Sequence, residues 1–261
     1  MITGSKRMKG STRVLFLSDA HCGSLQGLTT PKWQTDDVQK ELWSTYTGWV
    51  KKYKPFDIVI CAGDMLDGKA TKDSGIGLIS SDRIVQIEIA EEALRALKCS
   101  EIHIVGGTDY HVNGAGSEDW ELLLAKQLKA SYADHGFYDV SGCQINVRHK
   151  VGGGGLPHTK YTPLAKELES NKQWALSGEQ TLSDILVRGH VHKYAQICSG
   201  KSTAFTLPAL QAQGSRYGIK QCSGLVDWGM LVVDIASKTE FEWKVLLADS
   251  SLQQSCPSRL R

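Results

Sequence analysis

No CxxC pair occurs anywhere in the 261 residues, and no apolar run approaches the roughly 18 residues that a membrane-spanning helix needs. The seven cysteines are odd in number and scattered, with Cys61 inside an apolar run and Cys22 and Cys143 beside glycines. That usage speaks against a disulfide framework and for a reducing compartment. The polar N-terminus has no apolar stretch able to act as a signal peptide, so a cytoplasmic location is expected. Charge of one sign is also missing. The 30 Lys and Arg stand against 28 Asp and Glu, a balance without the electrostatic footprint of a nucleic-acid binder. Internal repeats and low-complexity linkers are absent too, so the chain reads as a single domain over residues 1–261. The loosest stretch, Gly152–Gly155, lacks the Lys-Ser/Thr ending of a nucleotide-binding loop and reads as a mobile flap within that domain.

The first half alternates strand and helix patterns. Arg13–Ser18 is a short apolar run of the kind buried on both faces of a sheet. Val38, Leu42, Tyr46, Trp49, Val50 and Tyr53 recur at helical spacing, with Thr35 or Asp36 placed to cap. Asp57–Cys61 predicts a second strand and Ile102–Val105 a third. Helices are expected from Ser81 to about Lys98 and from Ser117 to about Leu128. From about Tyr138 the segments become short and strand-like: Cys143–Arg148, Ile185–Arg188, Ala204–Leu207, Met230–Ile235 and Phe241–Leu247. Only Thr162–Glu169 shows helical periodicity there. Such an order suggests layered sheets with helices outside.

Three strands end in chemically loaded turns: Ser18-Asp19-Ala20-His21, Gly63-Asp64-Met65-Leu66-Asp67, and Gly189-His190-Val191-His192. Ligands of open α/β sheets bind outside the carboxyl ends of strands. A carboxylate and an imidazole two residues apart on an extended turn both reach one ion, and so do His190 and His192. Mixed carboxylate and imidazole donors without cysteine suit borderline divalent ions of the first transition row.

As an ordered series these motifs resemble the signature of the calcineurin-like metallophosphoesterase superfamily. That signature runs Asp-x-His, Gly-Asp-x-x-Asp, Gly-Asn-His-Asp/Glu, a lone His, then Gly-His-x-His. The resemblance covers about residues 13 to 194. It implies an α/β fold, a four-layer α/β/β/α sandwich of two mixed sheets flanked by helices, with residues 195–261 mainly strands completing the second sheet. It also implies that Asp19, His21 and His192 hold one ion, that Asp64 bridges two, and that His149, the lone histidine, joins His190 on the second. The third motif departs: Gly107-Thr108-Asp109-Tyr110-His111 stands in place of Gly-Asn-His. Asp109 is expected to supply the missing oxygen ligand, with Thr108 its rival because it directly follows the glycine. His111 is expected to take the acid role. The variant looks like that of phage- and prophage-encoded members, which points to an infected or lysogenic bacterial host.

The implied activity is hydrolysis of phosphomonoester or phosphodiester bonds by a water activated between two divalent ions, Mn2+ ahead of Fe, Zn or Ni. The implied partner is a phosphate ester, such as a nucleotide or a nucleic-acid end, and no membrane. His158, after the glycine run, and Arg188, beside the last motif, are further candidates for substrate contact. Asp67 reads as an orienting group, His103 as structural and His135 as solvent-facing. Two other readings stand beside the phosphatase: a nuclease of the same superfamily, and a non-catalytic interaction scaffold, which the altered third motif brings into view.

Overall fold

The computed structural model describes residues 6–69, 75–112, 118–152, 159, 161–212 and 226–249. Strands β1 (Thr12–Leu17), β2 (Ile58–Cys61), β3 (Ile102–Val105) and β4 (Ser131–Ala133) alternate with helices α1 (Asp37–Tyr53), α2 (Arg83–Arg95), α3 (Asp109–Val112) and α4 (Trp120–Leu128). There follow β5 (Gly136–Val140), β6 (Cys143–Arg148), α5 (Thr162–Leu176), β7 (Ile185–Arg188), β8 (Ala195–Ser199), β9 (Ser202–Thr206), β10 (Gly229–Ser237) and β11 (Glu240–Leu247).

Aspartates set the helix starts. Asp36 forms a capping box with Gln39, Asp82 accepts from the Ile84 amide, and Asp119 accepts from the Leu122 amide. Helix α2 therefore opens at Arg83, past the cap expected at Ser81. Helix α5 runs well beyond Glu169 because its buried stripe continues in a polar residue: after Leu164 and Leu168 comes Asn171, which bonds the Ser183 carbonyl and amide (2.9 and 3.0 Å).

The strands make two mixed sheets, ordered β11-β10-β1-β2-β3-β4 and β5-β6-β7-β9-β8. Strands β1 to β4 are parallel, as are β6, β7 and β9, so the carboxyl ends of the central strands lie along common edges. Side chains alternate across each sheet. Val14, Phe16, Ile60, Leu231 and Val233 of the first sheet pack against Ile145, Val147, Ile185, Val187 and Phe205 of the second. Leu15, Leu17, Val59 and Ile104 face the other way, onto α1, α2 and α4, where Tyr46, Ile87, Ala90, Leu94 and Leu124 are buried. Helix α5 covers Leu186, Ala195 and Ala204 on the outside of the second sheet. The result is the helix-flanked sandwich of two mixed sheets that the sequence implied.

One assignment is corrected. Of the strands after residue 194, β8 and β9 extend the second sheet, whereas β10 and β11 join the first beside β1. A buried ion pair fixes that choice: Arg13 of β1 makes a two-pronged contact with Asp234 of β10 (2.7 Å for each bond), and the two residues are register partners. Apolar periodicity records that a strand is buried but not which neighbour buries it.

Candidate metal centre

At the carboxyl ends of β1, β2, β6 and β7 the chain leaves both sheets through turns that meet. The turn after β1 stays paired with the turn after β2, since the Asp19, His21 and Cys22 amides donate to the Gly63, Asp64 and Met65 carbonyls (2.9–3.0 Å). The Gly189 amide donates to the His149 carbonyl (2.9 Å), joining the ends of β6 and β7. The His190 amide crosses between the sheets to Asp19 Oδ2 (3.0 Å). Three groups result, each with ligand atoms within 4.8 Å of one another: two made wholly of the predicted ligands, Asp19, His21 and His192, and Asp64, His149 and His190, and a third, His21, Asp67 and His111, that shares His21 with the first. Asp19 Oδ1 has three imidazole nitrogens around it, His192 Nε2 at 3.1 Å and the Nε2 atoms of His21 and His149 at 3.9 Å. His149 Nε2 also lies 3.0 Å from Asp64 Oδ2.

Backbone conformation sets these residues apart. Asp19 (φ 51°), His21 (44°), Asp64 (53°), His190 (72°) and His192 (53°) all adopt the left-handed region. Side chains other than glycine cost about 1–2 kcal/mol each there, and such strain gathers at functional sites. Three glycines of the motifs give the turns room. A Cβ on Gly107 would overlap Asp64 Oδ1 and its amide; on Gly63 it would lie 2.7 Å from Gly107 Cα and His149 Cγ. On Gly189 it would overlap Ser18 Oγ and lie 2.9 Å from His149 Nδ1.

The ligand atoms are aimed by their other ends. His21 Nδ1–H donates to Asp67 Oδ1 (2.9 Å) and His149 Nδ1–H to the Ala62 carbonyl (2.7 Å), which turns each Nε2 inward. Asp19 Oδ2 accepts from Ser18 Oγ (2.5 Å), leaving Oδ1 to face the imidazoles. Asp19 Oδ1, His21 Nε2 and His149 Nε2 are buried with no hydrogen-bond partner among the described residues. Buried polar atoms are almost always satisfied, so convergent orphans of this chemistry mark the place of a cation.

The electrostatics agree. Burial works to raise the Asp19 carboxyl, but His192, His149 and His21 prevail and hold it well below the usual carboxylate range. Burial likewise opposes ionisation of Asp64, and His149 above all reverses it. Burial lowers His149 while Asp19 and Asp64 raise it more, and the net effect pushes it up to about 10. Two buried carboxylates are thus kept ionised by positive charge, which an imidazolium supplies in the metal-free protein.

Other sequence candidates fall in different places. Thr108 touches Asp64: its amide donates to Oδ1 (2.6 Å), and its hydroxyl is 3.1 Å from each carboxylate oxygen. Asp109 is exposed at the start of α3 and belongs to neither group. His111 lies edge-on to His21 with ring centroids 4.6 Å apart. Its Nδ1–H donates to the Asp67 carbonyl (2.6 Å), so Nε2 is the nitrogen left for a ligand. Burial and then His21 lower its pKa. Arg188 is fully buried and bonded to Glu167 of α5 (2.7 and 3.0 Å), away from the two groups. His158 and Gly153–Gly155 lie outside the described residues. His103 bonds Ser131 Oγ (2.5 Å) on the neighbouring strand. His135 is half-buried and bonded to Asn146 (2.9 Å), not solvent-facing as the polar turn suggested.

Sequence reading passed over Glu121. Its carboxylate is fully buried, and it accepts from the amides of Met65 (2.6 Å) and Gly107 (2.7 Å), one on each side of the Asp64–Thr108 contact. Burial, then the charge of Asp64, pushes its pKa up to about 8. A signal was there to read, because Glu121 falls in line with Leu124, Ala125 and Leu128 at helical spacing, an acid on an apolar stripe.

No family model and no curated sequence matches the chain at a significant level. Among solved structures it is similar to a predicted phosphoesterase from Streptococcus pneumoniae, with 13% identity, 92% of this chain and 91% of that one covered, and a TM-score of 0.43. It is similar as well to a novel archaeal phosphodiesterase, with 13% identity, coverage of 90% and 99%, and a TM-score of 0.47. A third is Vps29 from Entamoeba histolytica, complexed with Zn2+, with 16% identity, coverage of 90% and 98%, and a TM-score of 0.46. The functional reading rests on the site's own geometry. On that geometry, two mixed sheets flanked by helices hold the motif residues at one edge, the architecture that the resemblance to the calcineurin-like metallophosphoesterases implies.

Proposed function

We propose that the protein is a metal-dependent phosphoric ester hydrolase that uses two divalent ions, of which Mn2+ is the first to test. The observation that carries the reading is the paired groups of converging Asp and His atoms, of which Asp19, His21, Asp64 and His149 are buried and three atoms are orphaned. Asp19, His21 and His192 would hold one ion; Asp64, His149 and His190 would hold the other. When bound, such ions supply an activated water and neutralise charge growing on the phosphoryl oxygens. In this chain Thr108 takes the position beside Asp64, and its amide and hydroxyl fix that carboxylate. Asp109, exposed and outside both groups, is left without a ligand role in this proposal. His111 faces the substrate through Nε2. An anionic phosphoryl group beside it favours the imidazolium, which then donates its proton to the departing oxygen. No described helix is long and apolar enough to cross a membrane, and the scattered cysteines support a reducing cytoplasm as the compartment.

Elemental analysis of the purified protein, followed by Mn2+-dependent hydrolysis of paired aryl monoester and diester substrates, tests the reading. Two equivalents of metal and metal-dependent turnover support it. Metal without turnover on any phosphate ester, or neither metal nor turnover, overturns the enzyme in favour of a scaffold. Diester cleavage with digestion of single- or double-stranded DNA identifies the nuclease branch of the same reaction.

A further inference from the structure

We propose that Glu121 is a positioning residue that acts through Asp64 and sets how tightly the Asp64, His149 and His190 group holds its ion. The inference rests on the metal-centre reading and adds to it a residue outside every motif. Glu121 occupies the first turn of α4 with no solvent exposure. Its two oxygens do two jobs, one accepting the amide next to Asp64 and the other the amide next to Thr108. Thr108 in turn bonds Asp64 through amide and hydroxyl, and Gly107, having no Cβ, lets Asp64 lie close against it. One side chain therefore closes a ring that runs Glu121, Met65, Asp64, Thr108, Gly107 and back.

The chemistry requires a carboxylate. Both partners are N–H donors, so the group between them must accept at both ends. Glutamine accepts at one end only and sets its own NH2 against the other amide. Burying a charge beside the charge of Asp64 is expensive. Backbone bonds can tie loops without such a charge: the turns after β1 and β2 are paired from the Asp19 amide to Gly63 and from the His21 amide to Asp64, with the side-chain bonds from Ser18 to Ala62 and from His21 to Asp67 beside them. With both oxygens accepting from N–H donors, Glu121 orders the amides that flank a candidate ligand and its partner. Among the described residues, no hydrogen bond joins Glu121 directly to Asp19, His21 or His192.

The test compares the full-length protein with Glu121→Gln by Mn2+ titration calorimetry after chelation, with melting of the metal-free forms measured alongside. Glu121→Gln should weaken the second ion about 10- to 100-fold, leave the first within about threefold, and regain most of its kcat in excess Mn2+ at unchanged KM. Glu121→Asp, one methylene shorter, should fall between the two. Combined with Thr108→Ala, the loss of second-ion affinity should be less than the product of the single losses, because both act on one carboxylate. Equal binding of both ions in Glu121→Gln overturns the role of Glu121 alone. Parallel loss of both ions with a lowered melting temperature overturns it too, by assigning Glu121 to the fold. An unaltered protein that binds no metal overturns the underlying reading as well.

Discussion

Replacing Gly189 with alanine tests whether close approach, and not motif chemistry alone, builds the centre. The new Cβ would overlap Ser18 Oγ and stand 2.8 Å from the Ala62 carbonyl oxygen and 2.9 Å from His149 Nδ1, where ordinary contact begins near 3.4 Å. Ala62 and His149 must each recede by roughly half an ångström, an overpacking that typically costs about 1–3 kcal/mol. Ser18 escapes by rotating, which gives up its bond to the ionised Asp19, worth about 1.5–3 kcal/mol. The sum, about 2.5–6 kcal/mol, is a large share of the 5–15 kcal/mol typical of a domain. Affinity should suffer in both metal groups, because Ser18 aims Asp19 and the Ala62 carbonyl aims His149. Each such outer contact is worth about 10- to 100-fold. Urea unfolding and Mn2+ titration read the two effects. Ser18→Ala is the internal control: alone it removes one bond, but together with Gly189→Ala it also removes the atom against which the Cβ presses. The double variant should therefore be more stable than the sum of the single losses implies. Strict additivity, or a Gly189→Ala protein with unaltered stability and metal affinity, refutes the steric account.

His111→Asn should retain full metal content and lose activity in proportion to the pKa of the leaving group; equal loss on nitrophenyl and alkyl esters counts against a proton donor at that position. His149 has its folded pKa raised from 6.5 to about 10, so its contribution to metal-free stability is present below about pH 6.5 and lost as pH rises through 10. Metal must displace that proton, and calorimetry at neutral pH in buffers of different ionisation enthalpy should count about one proton released per ion on this group; release of none removes the assignment. Glu167→Gln strands the fully buried Arg188 and should cost about 3–5 kcal/mol in urea unfolding. Arg148→Gln, whose side chain is 32% exposed, should cost under about 1 kcal/mol, and equal effects would mean that burial is not the cause.

The convergence of the six candidate ligands was legible because a buried strand announces itself by composition and a turn by its glycine, so Asp19, Asp64 and His190 could be placed at strand ends from the sequence. Thr108 to His111 was legible only as a departure. Whether Thr108 or Asp109 lies beside Asp64 depends on where α3 begins: Thr108 precedes the helix and bonds Asp64, and Asp109 opens it at an exposed position. Arg188 misled for a different reason. Proximity in sequence to His190 places it two residues along a strand, and alternation sends its side chain beneath α5 to Glu167. Left-handed backbone at five ligands left no trace, since Asp and His tolerate it without needing glycine to advertise it.

Each of the two proposed metal groups draws on both sheets, and that fact joins the fold to the function. Asp19 and His21 come from the end of β1 and His192 from beyond β7; Asp64 follows β2, while His149 and His190 follow β6 and β7. Neither the Asp19, His21 and His192 group nor the Asp64, His149 and His190 group is complete on one sheet, so their residues meet only where the inter-sheet core of Phe16, Ile60, Val147, Val187 and Phe205 has formed. The contacts that aim the donors are all made by the protein itself: Asp67 to His21, Ala62 to His149, Ser18 to Asp19 and Thr108 to Asp64. An ion arriving there has little side-chain entropy left to remove, so more of its coordination energy appears as affinity. The cost falls on folding, as strained backbone and buried charge gathered at one edge. Inter-sheet packing is what offsets that cost, and this is why a sandwich of two sheets, and not either sheet alone, provides the site.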